Sequence, residues 1–115
     1  MDRVSTTAPR LERLPVRTVL GCEVPVARTA LSRLLGLAWL ERDRAGNGLL
    51  IPGCRSVHTF GMRFEIEVVF LDSAGRPIRW EDPVGPGRVL FERRAAAVLE
   101  RVPASEGGES GRSAA

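Results

Sequence analysis

The residue types able to do site chemistry gather in the middle of the chain. Cys54, His58 and Met62 stand four residues apart, and His58 is the only histidine of the sequence. A thiol, an imidazole and a thioether together would suit a soft metal such as Cu(I). Along an extended chain, however, the Cys54-to-Met62 separation is roughly 26 Å, so one ion would require the chain to fold back at Gly61. With a single His and no CxxC pair, neither a metal nor another cofactor is expected. A Cys54 thiolate with His58 as its base would make a nucleophilic pair. Their separation on a strand is roughly 13 Å, beyond hydrogen-bond reach unless the Pro52-Gly53 turn shortens it. The third possibility is noncatalytic. Arg55, His58, Thr59 and Arg63 line a polar groove, Arg88 joins from a neighbouring loop, and Glu67 completes the candidate set. Such a groove would take a small anionic ligand, helped by backbone N–H groups near Pro52-Gly53.

Each feature has a plain structural alternative. Cys54 reads equally as a buried thiol, His58 as a histidine hydrogen-bonded at a sheet rim, and Arg63 as the partner of Glu65 or Glu67 on a solvated face. His58-Thr59 is what strand packing explains least. The residues therefore rank a noncatalytic binding or accessory module first, serving a small ligand or a protein partner. A small enzyme using Cys54 and His58 ranks second.

These residues must be positioned by extended chain. Side chains of a strand alternate between faces, so from Ser56 to Leu71 the even positions Ser56, His58, Phe60, Met62, Phe64, Ile66, Val68 and Phe70 share one nearly apolar face. The odd face carries Thr59, Arg63, Glu65 and Glu67 before turning apolar at Val69 and Leu71, as a strand does on entering a more buried part of a sheet. A bend is expected within so long a run, with Gly61 its natural place.

Around this block the chain divides into short elements. Residues 1–12 read as a loose leader, 13–102 as one domain, and 103–115, rich in Gly, Ser, Glu and Ala, as a disordered tail. Leu14 to Leu20 is β-prone, and Gly21 to Val26 continues it or pairs with it as a hairpin. From Val26 to Leu35 the positions Val26, Ala30, Leu31, Leu34 and Leu35 form one apolar stripe, which predicts the main helix, stopped by Gly36. A charged loop from Glu41 to Gly48 leads to a buried strand at Leu49-Leu50-Ile51. Ser73 to Arg76 reads as a hairpin connection, Val89 to Phe91 as a short strand, and Ala97 to Val102 as the closing strand. Many short strands with one helix predict an α+β fold: a curved, mostly antiparallel sheet or partly open barrel with one main helix.

Composition excludes several classes. The chain has 115 residues, 43% hydrophobic and 27% charged, with no stretch approaching the roughly 20 apolar residues of a membrane span. With no apolar leader segment and only two cysteines, a cytoplasmic location is expected. The pI of about 10.0 is not a nucleic-acid signature. All 17 basic residues are Arg, with no Lys and no Tyr, so almost nothing titrates between the thiols and the guanidiniums, and a net charge of +3 carries the pI upward. The arginines are scattered, without the aromatic interleaving of a stacking platform, which disfavours nucleic-acid binding.

The segment Cys54-Arg55-Ser56-Val57-His58-Thr59-Phe60-Gly61-Met62-Arg63-Phe64, followed by Ile66-Glu67-Val68-Val69-Phe70-Leu71-Asp72-Ser73-Ala74-Gly75, resembles the signature of the DUF192 family of small prokaryotic proteins of unknown function. Arg33-Leu34-Leu35-Gly36-Leu37 is similar to that family's helix-ending motif, Gly48-Leu49-Leu50-Ile51 to its first core strand, and Ala97-Val98-Leu99-Glu100 to its closing strand. The resemblance covers residues 14–102. It implies a small curved-sheet fold with one main helix and supplies no established catalytic activity. The family usually carries Pro at the position of Glu65 and Asp at that of Glu67, so a role that needs a short carboxylate does not pass unchanged to Glu67. Arg101-Val102-Pro103 stands where the family's last motif often runs into a Gly-bearing loop.

Overall fold

A computed structural model describes residues 7–29, 33 and 36–103. Among these residues the chain is mostly antiparallel β-structure with very little helix. A one-turn helix, α1 (Pro9–Glu12), precedes strands β1 (Val16–Val19), β2 (Cys22–Pro25), β3 (Leu49–Pro52), β4 (Ser56–His58), β5 (Ile66–Leu71), β6 (Pro77–Val84), β7 (Val89–Phe91) and β8 (Ala97–Arg101), with a 3-10 turn at Arg42–Arg44. A four-stranded sheet runs β3-β8-β5-β6, and β1-β2 and β4-β7 form separate two-stranded ribbons, so the strands do not close into a barrel.

The central strand β5 shows why. All six of its residues are buried, because both faces of the sheet are covered. Ile66, Val68 and Phe70 pack into the main core with Leu49, Ile51, Val98, Val57 and Leu90, the last two brought by β4 and β7. On the other face Val69 and Leu71 join Leu50, Leu99, Val19, Val24 and Val26 beneath the β1-β2 ribbon. The expected switch of the odd positions from polar to apolar along this strand is thus the edge of that ribbon's cover. Each fully buried Val, Leu or Phe side chain contributes about 1.5–3 kcal/mol, which makes β5 the stability centre.

The long alternating run breaks where glycine allows. Gly61 has φ +81°, and the Met62 N–H donates to the Thr59 carbonyl at 3.2 Å. A Cβ at Gly61 would lie 3.1 Å from the Trp39 ring, so the position favours glycine on packing as well as on backbone grounds. Within this turn the even-face pattern fails locally. Phe60, expected in the core, is 55% exposed, whereas Thr59 is fully buried.

Two further expectations are modified. Residues 1–6 lie outside the described residues, but Ala8 and Leu11 are buried in the main core, so the N-terminal segment takes part in the fold from there on. Of the helix expected over 26–35, Val26 instead forms a parallel bridge to Leu50, and the Ala27 N–H donates to the Leu50 carbonyl at 2.8 Å. The Arg33 N–H donates to the Thr29 carbonyl at 2.9 Å, and 30–32 and 34–35 lie outside the described residues, as does 104–115 of the expected tail. Gly36, at φ +51°, has the left-handed conformation predicted for the helix stop. No helix among the described residues is long and apolar enough to cross a membrane.

Candidate functional site

Strand β8 is apolar through Val98 and Leu99 and then presents Glu100. Alternation puts Glu100 on the face of Val98, opposite Leu49 of β3 and Val68 of β5, and so toward the main core. Its side chain is 3% exposed. The Leu37 N–H donates to its Oε1 at 3.3 Å, and among the described residues Oε2 has no donor. Burial pushes the carboxyl up to about 7, with the Leu37 N–H acting in the opposite direction.

The backbone that meets Glu100 is built for close approach. A Cβ at Gly36 would stand 2.7 Å from Glu100 Oε1. Arg10, at the start of α1, donates to the carbonyls of Gly36 and Ala38 at 2.9 and 2.8 Å and so clamps the segment that carries the Leu37 N–H.

Glu100 and Gly36 form part of the lining of a cavity of about 100 Å³. Ile51, Val57 and Met62 supply apolar wall, and Arg33, Cys54, Ser56 and His58 complete it. Arg33 and Ser56 are exposed, which places the opening on their side. One N–H of Arg33 donates to the Gly53 carbonyl at 3.2 Å. The Cys54 thiol donates to the Ser56 carbonyl at 2.9 Å. The Phe60 N–H donates to His58 Nδ1 at 3.3 Å, which leaves the ring proton of a neutral imidazole on Nε2. The imidazole also stacks on Phe60, centroids 5.4 Å apart. Cys54 and His58 share the cavity but are not hydrogen-bonded to one another.

The other residues singled out in the sequence lie elsewhere. The Thr59 hydroxyl donates to the Gly85 carbonyl and accepts the Arg88 N–H, each at 2.7 Å, so it fastens the 85–88 turn. Arg63 pairs with Glu41 at 2.6 Å in solvent. Glu67 is buried beneath the sheet, where Arg101 Nε donates to its Oε1 at 2.8 Å and Trp80 Nε1 donates to its Oε2. Arg55 and Arg88 are exposed. A single groove of Arg55, His58, Thr59, Arg63, Glu67 and Arg88 is therefore not assembled; Thr59 and Arg88 meet through the Arg88 backbone, while Arg63 and Glu67 are held by Glu41 and Arg101. Among the described residues, no group of three His, Cys, Asp or Glu side chains is placed to hold a metal ion. Sequence reasoning passed over Glu100. The signal was present: it is the lone acid at an inward position of a strand that is otherwise apolar on that face.

Comparison with known proteins follows the same lines. No match was found among curated proteins. A crystal structure of a protein from Sinorhizobium meliloti, provisionally described as a transcription regulator, superposes with a TM-score of 0.57 at 19% identity, covering 76% of this chain and 77% of that one. A protein of unknown function from Novosphingobium aromaticivorans superposes with a TM-score of 0.57 at 14% identity, covering 90% and 89%. At such identities the likeness is one of fold alone. The family model of DUF192, described as Uncharacterized ACR, matches residues 14–105, from the strand-bearing N-terminal ribbon to just past β8, and the chain therefore belongs to the DUF192 family.

Proposed function

We propose that this protein is a noncatalytic binding module and that its ligand occupies the cavity between Glu100 and the Cys54–His58 stretch. The observation that carries this reading is Glu100 itself. A carboxyl group removed from water costs several kcal/mol unless it is partnered, and here one backbone N–H meets it. Glu100 lines a cavity that reaches solvent, as a recognition group would. The rim groups are engaged with neighbouring backbone, which suits a preformed site. Two free cysteines fit a reducing compartment, and we take the cytoplasm as the place of action.

A second reading, a small enzyme, has one observation in its favour. A carboxyl held near neutrality at a cavity is suited to proton transfer. Against it, the Cys54 thiol and His58 are bonded to different backbone groups, so no nucleophile and base stand in contact.

The test is a thermal-shift screen of small amines, amino acids, carboxylates and phosphate esters on the wild type, Glu100→Gln and His58→Ala. A ligand at one hundred times its Kd stabilises by about 2.7 kcal/mol, roughly 10 °C for a chain of this size. The expected result is stabilisation by some compound that is lost in Glu100→Gln. A screen in which no compound raises the wild-type Tm would remove the reading. Consumption of the ligand on incubation, lost in Cys54→Ser, would favour the enzyme instead.

A further inference from the structure

Resting on that binding reading, we propose that the ligand is a small zwitterion, a primary ammonium separated by a short carbon chain from a carboxylate, with the ammonium seated against Glu100 and the carboxylate at Arg33.

The cavity is polarised from inside to outside. At its inner side is the 3% exposed Glu100, whose Oε2 lacks a donor among the described residues. At its opening is the exposed Arg33, whose guanidinium gives one N–H to Gly53 and has further donors in its planar fork. The buried apolar side chains of Ile51, Val57 and Met62 supply the rest of the inner lining. A donor-rich cation within, a short apolar stretch, and an anion without is the complement of that order. An ammonium supplies three donors to an ionised carboxylate, whereas an anion at the same place would meet like charge.

Size narrows the class. A volume of about 100 Å³ compares with roughly 30 Å³ per water molecule in the liquid, so about three non-hydrogen atoms of that size fit inside. The ammonium nitrogen and two carbons fill that space, leaving the carboxylate at the mouth. A large amino-acid side chain does not fit.

The ionisation of Glu100 couples such binding to pH. The groups around it that bear or exchange charge are Arg33, Cys54 and His58 of the cavity lining, with Arg10 held against the Gly36 and Ala38 carbonyls on either side of Leu37. Leu49, Ile51 and Val68 face it from β3 and β5, and Leu37 and Met62 from the adjoining segments, and none of them titrates. Since burial raises the Glu100 carboxyl to about 7, most of it is protonated at pH 6 and must release its proton to hold an ammonium. Affinity is then about tenfold weaker at pH 6 than at pH 8.

The experiment uses the full chain and three probes of one carbon skeleton: β-alanine, ethylamine, which lacks the carboxylate, and propionate, which lacks the ammonium. Calorimetry and thermal shift at pH 6 and pH 8 should show β-alanine binding best, ethylamine more weakly and propionate not at all, with β-alanine about tenfold tighter at pH 8. Arg33→Gln should reduce β-alanine to the level of ethylamine. Glu100→Gln, which keeps an acceptor for Leu37, should abolish both binding and its pH slope, while His58→Gln should leave the slope intact. The wild type alone gives a further readout: at pH 6, calorimetry in two buffers should show close to one proton released per β-alanine bound. Propionate binding, tighter binding at pH 6, proton uptake, or β-alanine affinity retained in Glu100→Gln would each overturn the assignment. If a different compound then stabilises the wild type and not Glu100→Gln, the ligand class is wrong and the binding site stands. If no compound does, because water alone occupies the cavity, both readings fall.

Discussion

Replacing Glu100 by Gln should change how stability depends on pH more than it changes the fold. Burial raises the folded-state carboxyl from 4.5 to about 7, and each tenfold gain in proton affinity corresponds to about 1.4 kcal/mol. The folded protein therefore holds the proton more tightly than the unfolded chain does. The resulting stabilisation is fully present below pH 4.5 and is lost as pH rises through 7. Its full size is about 3 kcal/mol, of which about 2 kcal/mol appears between pH 7 and pH 5. For a chain of this length that is roughly 8 °C in Tm. Asp72 and Glu92 do not confuse this window. The Arg76 N–H holds the Asp72 carboxyl below its ordinary value, and the Arg94 side chain does the same for Glu92. Their contributions are present above the unfolded-state values and fade only at more acidic pH. Urea unfolding of the wild type and Glu100→Gln at pH 5, 6, 7 and 8, without ligand, isolates the effect. The difference in stability between the two proteins should move by about 2 kcal/mol in favour of the wild type from pH 7 to pH 5. Parallel profiles would refute the reasoning, because they would mean that the carboxyl is solvated or fully partnered in the folded state.

Three other substitutions probe the surroundings. Gly36→Ala puts a methyl group 2.7 Å from Glu100 Oε1 at a residue with φ +51°, and urea denaturation should show a loss of about 1–3 kcal/mol. Thr59→Val strips the hydroxyl from the Gly85 carbonyl and the Arg88 N–H; about 2 kcal/mol should be lost, with hydrogen exchange fastest to increase at residues 85–88. Glu67→Gln leaves Arg101 without its counter-charge and weakens the acceptor of Trp80. Thermal unfolding should register a loss of about 3 kcal/mol, while ligand stabilisation at the cavity persists, since Glu67 lies on the other face of the sheet.

Much of the architecture was legible in the sequence because it depends on local alternation and turn chemistry. The hairpin at 14–26 is made by Leu20 and Gly21, both at positive φ, and the Ser73–Arg76 connection is held by Asp72 Oδ1, which accepts the Ala74 and Arg76 N–H groups at 2.9 Å. Strands at Leu49, Val89 and Ala97 follow from apolar, β-branched runs bounded by Gly and Pro. Sequence by itself also determined the family, since the block from Cys54 to Gly75 is distinctive whatever it packs against. It could not determine where the side chains of that block end up. Cys54 and His58 meet one cavity because β3 and β4 are joined by a tight turn, whereas Thr59, Arg63 and Glu67 are claimed by Gly85, Glu41 and Arg101, partners between 22 and 34 residues away in the chain. Glu100 shows the same limit most plainly. Alternation could say that it points inward, but its burial, its single backbone donor and its raised carboxyl come from segments as distant as those of Leu37, Leu49 and Val68, which surround it only once β8 has paired with β3 and β5. A carboxyl's chemistry is set by what surrounds it, and those surroundings exist only once distant segments have packed together.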